Sequence, residues 1–130
     1  MAWSMARYTS RVASGRILLV DDDADLRGLF AEYLSDAGYE TAQASNGQEA
    51  LDVLACAVEL PDLILLDMLM PVMGGAEFCD RLSKDARLTT LPVVVVAGVQ
   101  GYQCRGARAF ICKPISIDLL LEVVKENCGP

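Results

Sequence analysis

Three uninterrupted apolar runs, at residues 17–20, 63–66 and 93–96, do most to limit what this chain can fold into. A strand with one face in water alternates apolar and polar residues, so runs without alternation are expected where a strand is buried on both faces. Residues 40–44 and 109–112 complete a set of five strand candidates, with longer amphipathic stretches between them. That order is the pattern of an α/β fold: a five-stranded parallel sheet with helices on both faces and the three apolar strands in its middle.

The helices can be placed from spacing and punctuation. Leu26, Leu29, Phe30, Tyr33, Leu34 and Ala37 recur at helical intervals, and Gly38 supplies the left-handed residue that ends a helix. Asn46-Gly47 turns the chain into a second helix through Ala50, Leu51 and Leu54. Gly74-Gly75 precedes a third, carrying Phe78 and Leu82, and Ser116 is placed to cap a last helix marked by Ile117, Leu120, Leu121 and Val124. Between Val96 and Phe110 the glycines Gly98, Gly101 and Gly106 and the lack of periodicity argue against a full helix.

A chain of 130 residues that is 53% apolar can build one domain with a core, read here as residues 15–128, and is too short for a separate output domain. Residues 1–14 carry Arg7 and Arg11, no acid and no signal-peptide apolar core. They are read as a flexible extension, an organelle transit peptide being the alternative. No apolar run approaches the roughly 18 residues a membrane span needs, so no membrane partner and a cytoplasmic location are expected. A net charge of -7 argues against nucleic acid as a partner, because an acidic surface repels phosphate. The chain has no His, which removes His-based triads, His-ligated zinc and a histidine phosphocarrier role. Cys56, Cys79, Cys104, Cys112 and Cys128 are odd in number and never paired as C-x-x-C, so reduced thiols are expected rather than a disulfide framework or a zinc site.

In an open parallel sheet the ligand site lies beyond the carboxyl ends of the strands. Three strand candidates end in chemistry: the first in Asp21, Asp22 and Asp23, the third in Asp67, the fifth in Lys113-Pro114. Taken singly, these are a helix-capping acidic loop, an Asp in a turn and a solvated Lys. Brought to one edge, the carboxylates would repel and raise their own pKa values unless a cation or Lys offset the charge. Mg²⁺ suits such a site, since it takes one or two carboxylates and leaves room for a phosphate oxygen. A Lys opposite would complete a clamp for a transferring phosphoryl group, with a carboxylate as acceptor.

At these residues the chain resembles the receiver domains of response regulators in two-component signalling. The stretches are Ile17-Leu18-Leu19-Val20-Asp21-Asp22-Asp23, Asn46-Gly47-Gln48-Glu49-Ala50-Leu51, Pro61-Asp62-Leu63-Ile64-Leu65-Leu66-Asp67-Met68-Leu69-Met70-Pro71 and Cys112-Lys113-Pro114, and the resemblance covers residues 15–127. It implies a doubly wound, flavodoxin-like sheet of order 2-1-3-4-5 and a phosphoryl group accepted on Asp67. It further implies Asp22 as a direct Mg²⁺ ligand, Asp21 acting mainly through water, the Leu69 carbonyl as third protein ligand, and Lys113 as the cation on the phosphoryl group. Asp23 has no place in that scheme, and a helix cap is the role expected for it or for Asp25. The implied partners are a sensor histidine kinase or histidine phosphotransfer protein and a downstream protein; homodimerisation stays open. The chemistry implied is self-phosphorylation and self-dephosphorylation, not turnover of a separate substrate.

The chain also departs from that family. Where receivers usually carry a Ser or Thr hydroxyl after the fourth strand, this chain has Ala97, leaving backbone N–H groups such as that of Gly98 to serve a phosphoryl oxygen. The aromatic switch position is Phe110, which has no hydroxyl. The interval from Ala97 to Lys113 is short by about a turn and a half of helix, so the fourth helix is expected to be shortened or missing. These departures favour a second reading, a pseudo-receiver that serves as a phosphorylation-independent interaction scaffold. A haloacid-dehalogenase type phosphatase would need a second Asp where Leu69 stands. Flavin binding would set a phosphate against three Asp.

Overall fold

The computed structural model describes residues 15–98 and 106–128. In chain order the elements are β1 (Arg16–Val20), α1 (Ala24–Asp36), β2 (Glu40–Ala44), α2 (Gly47–Cys56), β3 (Leu63–Leu66), α3 (Gly75–Ser83), β4 (Val93–Ala97), β5 (Ala107–Cys112) and α4 (Ile117–Asn127). The strands form one parallel sheet in the order β2-β1-β3-β4-β5. The three apolar runs are therefore its central strands, while the edges carry the exposed side chains of Gln43, Arg108 and Cys112.

Successive strand residues point to opposite faces, and each face is covered by two helices. Leu18, Val20, Ile64, Leu66, Val93 and Val95 pack with Ala50 and Leu54 of α2 and with Phe78 and Leu82 of α3. Ile17, Leu19, Leu63, Leu65, Val94 and Val96 pack on the other side with Phe30 and Leu34 of α1 and with Leu120 and Val124 of α4. Each such buried Leu, Ile, Val or Phe contributes about 1.5–3 kcal/mol relative to exposure, so two full layers account for a stable domain of this size.

The helix starts follow local chemistry. Asp23 accepts a hydrogen bond from the Leu26 N–H at 3.0 Å and Ser116 from the Leu119 N–H at 3.1 Å. Asn46 accepts from the Glu49 N–H at 2.9 Å, and Glu49 reaches back to the Ser45 N–H and hydroxyl at 2.9 and 2.8 Å. Those two bonds from Ser45 hold the Glu49 carboxyl below the usual range. Gly38, at φ 107°, ends α1 as its position in the sequence requires.

Three strands are longer than the apolar pattern indicates, the first being β1, which starts at Arg16, one residue before its apolar run. β4 runs on through Ala97, and β5 begins at Ala107 because a bulge at Arg108 sets Val93 opposite Ala107 and Val94 opposite Ala109. The bulge puts Ala107 and Phe110 on the same face, which breaks the period of two and hides the strand's start from a reading of alternation. Among the described residues there are four helices and none between β4 and β5. The expectation of reduced thiols is corrected at Cys79 on α3, which is disulfide-bonded, whereas Cys56, Cys112 and Cys128 are free. Sequence spacing does not report which cysteines approach in space, and that approach is what permits a bond. Cys104 and the extension at residues 1–14 lie outside the described residues.

The loop from β3 to α3 holds a strained residue. Met73 N–H donates to the Pro71 carbonyl at 2.7 Å, closing a three-residue turn around Val72, whose φ is 69°. This sign of φ crowds a β-branched side chain, and an i to i+2 turn of this hand is rare. Relief of about 1–2 kcal/mol of left-handed strain exceeds the entropic penalty of glycine. Val72→Gly is therefore expected to stabilise the domain by roughly 1 kcal/mol, read as a rise of a few degrees in Tm. A lower Tm would show that the turn is not strained.

Candidate functional site

The register of the central strands brings the chemistry together. Val20 pairs with Ala44 on one side and Leu66 on the other, so β1, β2 and β3 end at one level, while β4 and β5, with Val95 opposite Leu66 and Ala97 opposite Cys112, run two residues further at the same edge. The hydrogen bonding then continues one residue further. Asp21 N–H donates to the Ala44 carbonyl at 3.1 Å, Asp67 N–H to Val20 at 2.8 Å and Lys113 N–H to Ala97 at 2.8 Å. Each functional residue is thus the last rung of a buried ladder rather than a member of a free loop.

Asp21, Asp22 and Asp67 converge there, with one carboxylate oxygen from each lying within 4.8 Å of the others. Lys113 Nζ stands 3.2 Å from Asp21 Oδ2 and 3.5 Å from Asp67 Oδ1. Asp67 is buried and Asp22 exposed, so the cluster opens to solvent on the Asp22 side. Burial first, then the charge of Asp21, pushes the Asp67 carboxyl up; Lys113 opposes them and Asp22 adds to them. For Lys113 burial works against the charged form, but Asp21 and Asp67 outweigh it and the ammonium is held more firmly than usual. One lysine does not balance three acids. The donor set is carboxylate oxygen, which is what a hard divalent cation such as Mg²⁺ takes.

The acidic run divides as its geometry requires. Asp23 caps α1 and its N–H donates to Asp21 Oδ1 at 2.9 Å, so it belongs to the helix start and not to the cluster. Leu69 lies two residues past Asp67 with its side chain 63% exposed, at the rim of the site. The neighbouring Met68 carbonyl is committed to α3, accepting from the Gly75 N–H at 3.0 Å. Ala97 is buried at the end of β4, and Gly98 is exposed at the bend that follows. Phe110 is half-buried against the layer formed with α2 and α3.

Sequence reasoning missed three supporting residues. Gly47 donates to the Met73 carbonyl at 2.8 Å, and a Cβ there would lie 2.9 Å from the same oxygen. Gly75 meets the Asp67 carbonyl just as closely. Arg27 crosses from α1 to the end of β1, donating to the Asp21 carbonyl at 2.6 Å and to Gln43 Oε1 at 2.9 Å. Asn46-Gly47 reads as a turn and Gly74-Gly75 as the lead-in to a helix, although close approach of two backbones is the stronger reason for Gly47 and Gly75. Arg27 gave no local signal.

No helix among the described residues is long and apolar enough to cross a membrane. The family model for the response regulator receiver domain matches residues 17–125. The polar-differentiation response regulator DivK of Brucella anthropi is 34% identical over 119 residues, a match covering 87% of this chain and 95% of DivK. The response regulator Rre1 of Synechocystis is 37% identical across 84% of this chain, which spans only 49% of that longer relative. Among solved structures, the signal receiver domain of a signal transduction histidine kinase from Syntrophus aciditrophicus matches with TM-score 0.78 and 33% identity over 88% of this chain and 89% of its own. The chemotaxis response regulator CheY4 of Vibrio cholerae matches with TM-score 0.78 and 28% identity over 88% and 98%. With sheet order, acidic edge and relatives in agreement, the chain belongs to the response regulator receiver domain family of two-component signalling.

Proposed function

We propose that this domain is a cytoplasmic phosphoacceptor switch, taking a phosphoryl group onto Asp67 from a histidine kinase or histidine phosphotransfer protein and signalling by docking on another protein. The observation that carries this reading is the convergence of Asp21, Asp22 and Asp67 within 4.8 Å, with Lys113 Nζ 3.5 Å from Asp67. Asp22, Asp67 and the Leu69 carbonyl would hold Mg²⁺, with Asp21 acting through water; when bound, the ion neutralises charge on the phosphoryl oxygens. Asp67 supplies the nucleophilic carboxylate oxygen. A new O–P bond forms to it while the P–N bond of the donor phosphohistidine breaks and the imidazole leaves. Lys113 Nζ sits where it can grip a phosphoryl oxygen beside the acceptor, and the Gly98 N–H is the donor left to a second oxygen in the absence of a hydroxyl at Ala97. The only chemistry is on the chain itself, so the domain is not an enzyme acting on a separate substrate.

Ala97 favours a second reading, a scaffold that docks its partners without phosphorylation, because that buried side chain cannot report on the phosphoryl group. Intact mass after incubation with acetyl phosphate and Mg²⁺ separates the two. Here the acyl P–O bond breaks and acetate leaves. One phosphoryl adduct is expected on the parent and none on Asp67→Ala; a parent that never gains the adduct would leave only the scaffold.

A further inference from the structure

We infer that Arg27 is a positioning residue for the cation site, holding the Asp21–Asp22 peptide in the orientation that aims Asp22 at the cluster. The inference rests on the proposed Mg²⁺ site and concerns a residue outside its ligand set. Arg27 Nη1 donates to the Asp21 backbone carbonyl at 2.6 Å, and its Nε donates to Gln43 Oε1 at 2.9 Å, so the guanidinium is fixed at both ends. The side chain is half-buried, and together with Asp21 and Asp67 it lines a small cavity under α1.

The contact matters because of which group it holds. Asp21 is already fixed at its N–H by Ala44, at Oδ1 by the Asp23 N–H and at Oδ2 by Lys113. Its carbonyl is the remaining handle, and that carbonyl shares a rigid plane with the N–H of Asp22. A charged donor on the oxygen therefore fixes the plane from which the Asp22 Cα emerges. Asp22 is exposed, so burial does not orient it. Arg27 and Gln43 tie the Asp21 carbonyl that precedes it to α1 and β2. A charge-assisted bond to a carbonyl is stronger than a neutral one, which suits a group that must keep a loop still beside a cation.

The sign of the effect separates positioning from simple electrostatics. Arg27 is a cation beside a cation site, so by Coulomb's law alone its removal would tighten Mg²⁺ binding. Positioning requires the opposite. Loss of a residue that orients a metal ligand typically weakens affinity by 10–100-fold, and a loss of about tenfold is expected for Arg27→Met by calorimetric titration with Mg²⁺. Arg27→Lys keeps the charge but lacks the fork that spans both acceptors, so a loss close to that of Arg27→Met is expected. A readout without metal accompanies it: amide hydrogen exchange at residues 21–23 should quicken in both variants while exchange in β3 and β4 stays as in the parent. If Arg27→Met does not fold, Gln43→Leu, which frees the other end of the guanidinium, should show a smaller loss of the same sign. Affinity that is unchanged or tighter, or full retention in Arg27→Lys, would overturn the inference while leaving the site intact. A parent that binds no Mg²⁺ would remove the proposed site and this inference with it.

Discussion

Lys113→Ala is expected to destabilise the metal-free domain by about 2 kcal/mol and, at the same time, to enlarge the stabilisation it gains from Mg²⁺. Lys113 Nζ is shared by Asp21 and Asp67, whose side chains are 13% and 8% exposed, while its own is 25% exposed. Breaking a fully buried pair costs about 3–5 kcal/mol and an exposed pair at most about 1, and this site lies between those limits. Without the ammonium the two acids face each other with nothing between them. A divalent cation then relieves more repulsion in the variant than in the parent, so its binding contributes more to folding. The pH dependence has a definite sign. Asp67 has its pKa raised in the fold, by burial first and Asp21 next, so the penalty for ionising it is fully present above the folded value. That penalty disappears as pH falls through the folded value to the ordinary carboxylate range. The damage from Lys113→Ala should shrink over the same window, because a neutral Asp67 no longer needs its partner. Lys113, with its pKa raised, contributes at all pH values below the ordinary lysine range. Melting curves of both proteins across a Mg²⁺ titration, at neutral pH and again in mild acid, decide the matter. A variant as stable as the parent, or one with a smaller Mg²⁺ shift, would show that Lys113 does not compensate the acids.

Much of the frame is legible in residues 17–20, 63–66 and 93–96, since an apolar run without alternation leaves only the middle of a covered sheet. Asp23 and Ser116 were equally readable because a cap depends on a few neighbouring residues. Gathering Asp21, Asp22 and Asp67 needed more than the pattern. Their meeting depends on β1 and β3 being neighbours in register, with Val20 opposite Leu66, and that order came from the family resemblance rather than from periodicity. What stayed hidden depends on long-range approach or on a single dihedral angle. Arg27 reads as one more polar residue on α1 until the end of β1 lies beside it. Val72 reads as an ordinary loop residue until its φ is known. The bulge at Arg108 shifts β5 by one residue, which no local rule announces. The disulfide at Cys79 likewise follows from tertiary approach, not from spacing.

Gly75→Ala should cost about 2 kcal/mol and loosen the acceptor segment, whereas Gly28→Ala should stabilise by about 0.5–1 kcal/mol. An added Cβ at Gly75 would lie 2.6 Å from Met68 Sδ, 2.8 Å from the Asp67 carbonyl oxygen and 2.9 Å from Met68 Cα. The thioether can swing aside. The other two atoms are backbone of the residue that accepts the phosphoryl group in the proposed function and of its neighbour. They can give way only by moving β3 or α3, and overpacking of this kind costs about 1–3 kcal/mol, less a partial gain in helix propensity at the start of α3. The Gly75 N–H also donates to Met68, so displacing the helix strains that bond as well. Gly28 has nothing within 4 Å of its added Cβ and lies inside α1, so only the propensity gain applies there. The same chemical change is thus expected to have opposite signs in two helices, and melts of the two variants against the parent measure it directly. Because the clash lands on the Asp67 carbonyl, weaker Mg²⁺ binding should accompany the lost stability in Gly75→Ala and be absent in Gly28→Ala. A Gly75→Ala domain with parental Tm and Mg²⁺ affinity would mean that α3 can step back from β3 without disturbing Asp67, and that the close backbone approach is incidental to the site.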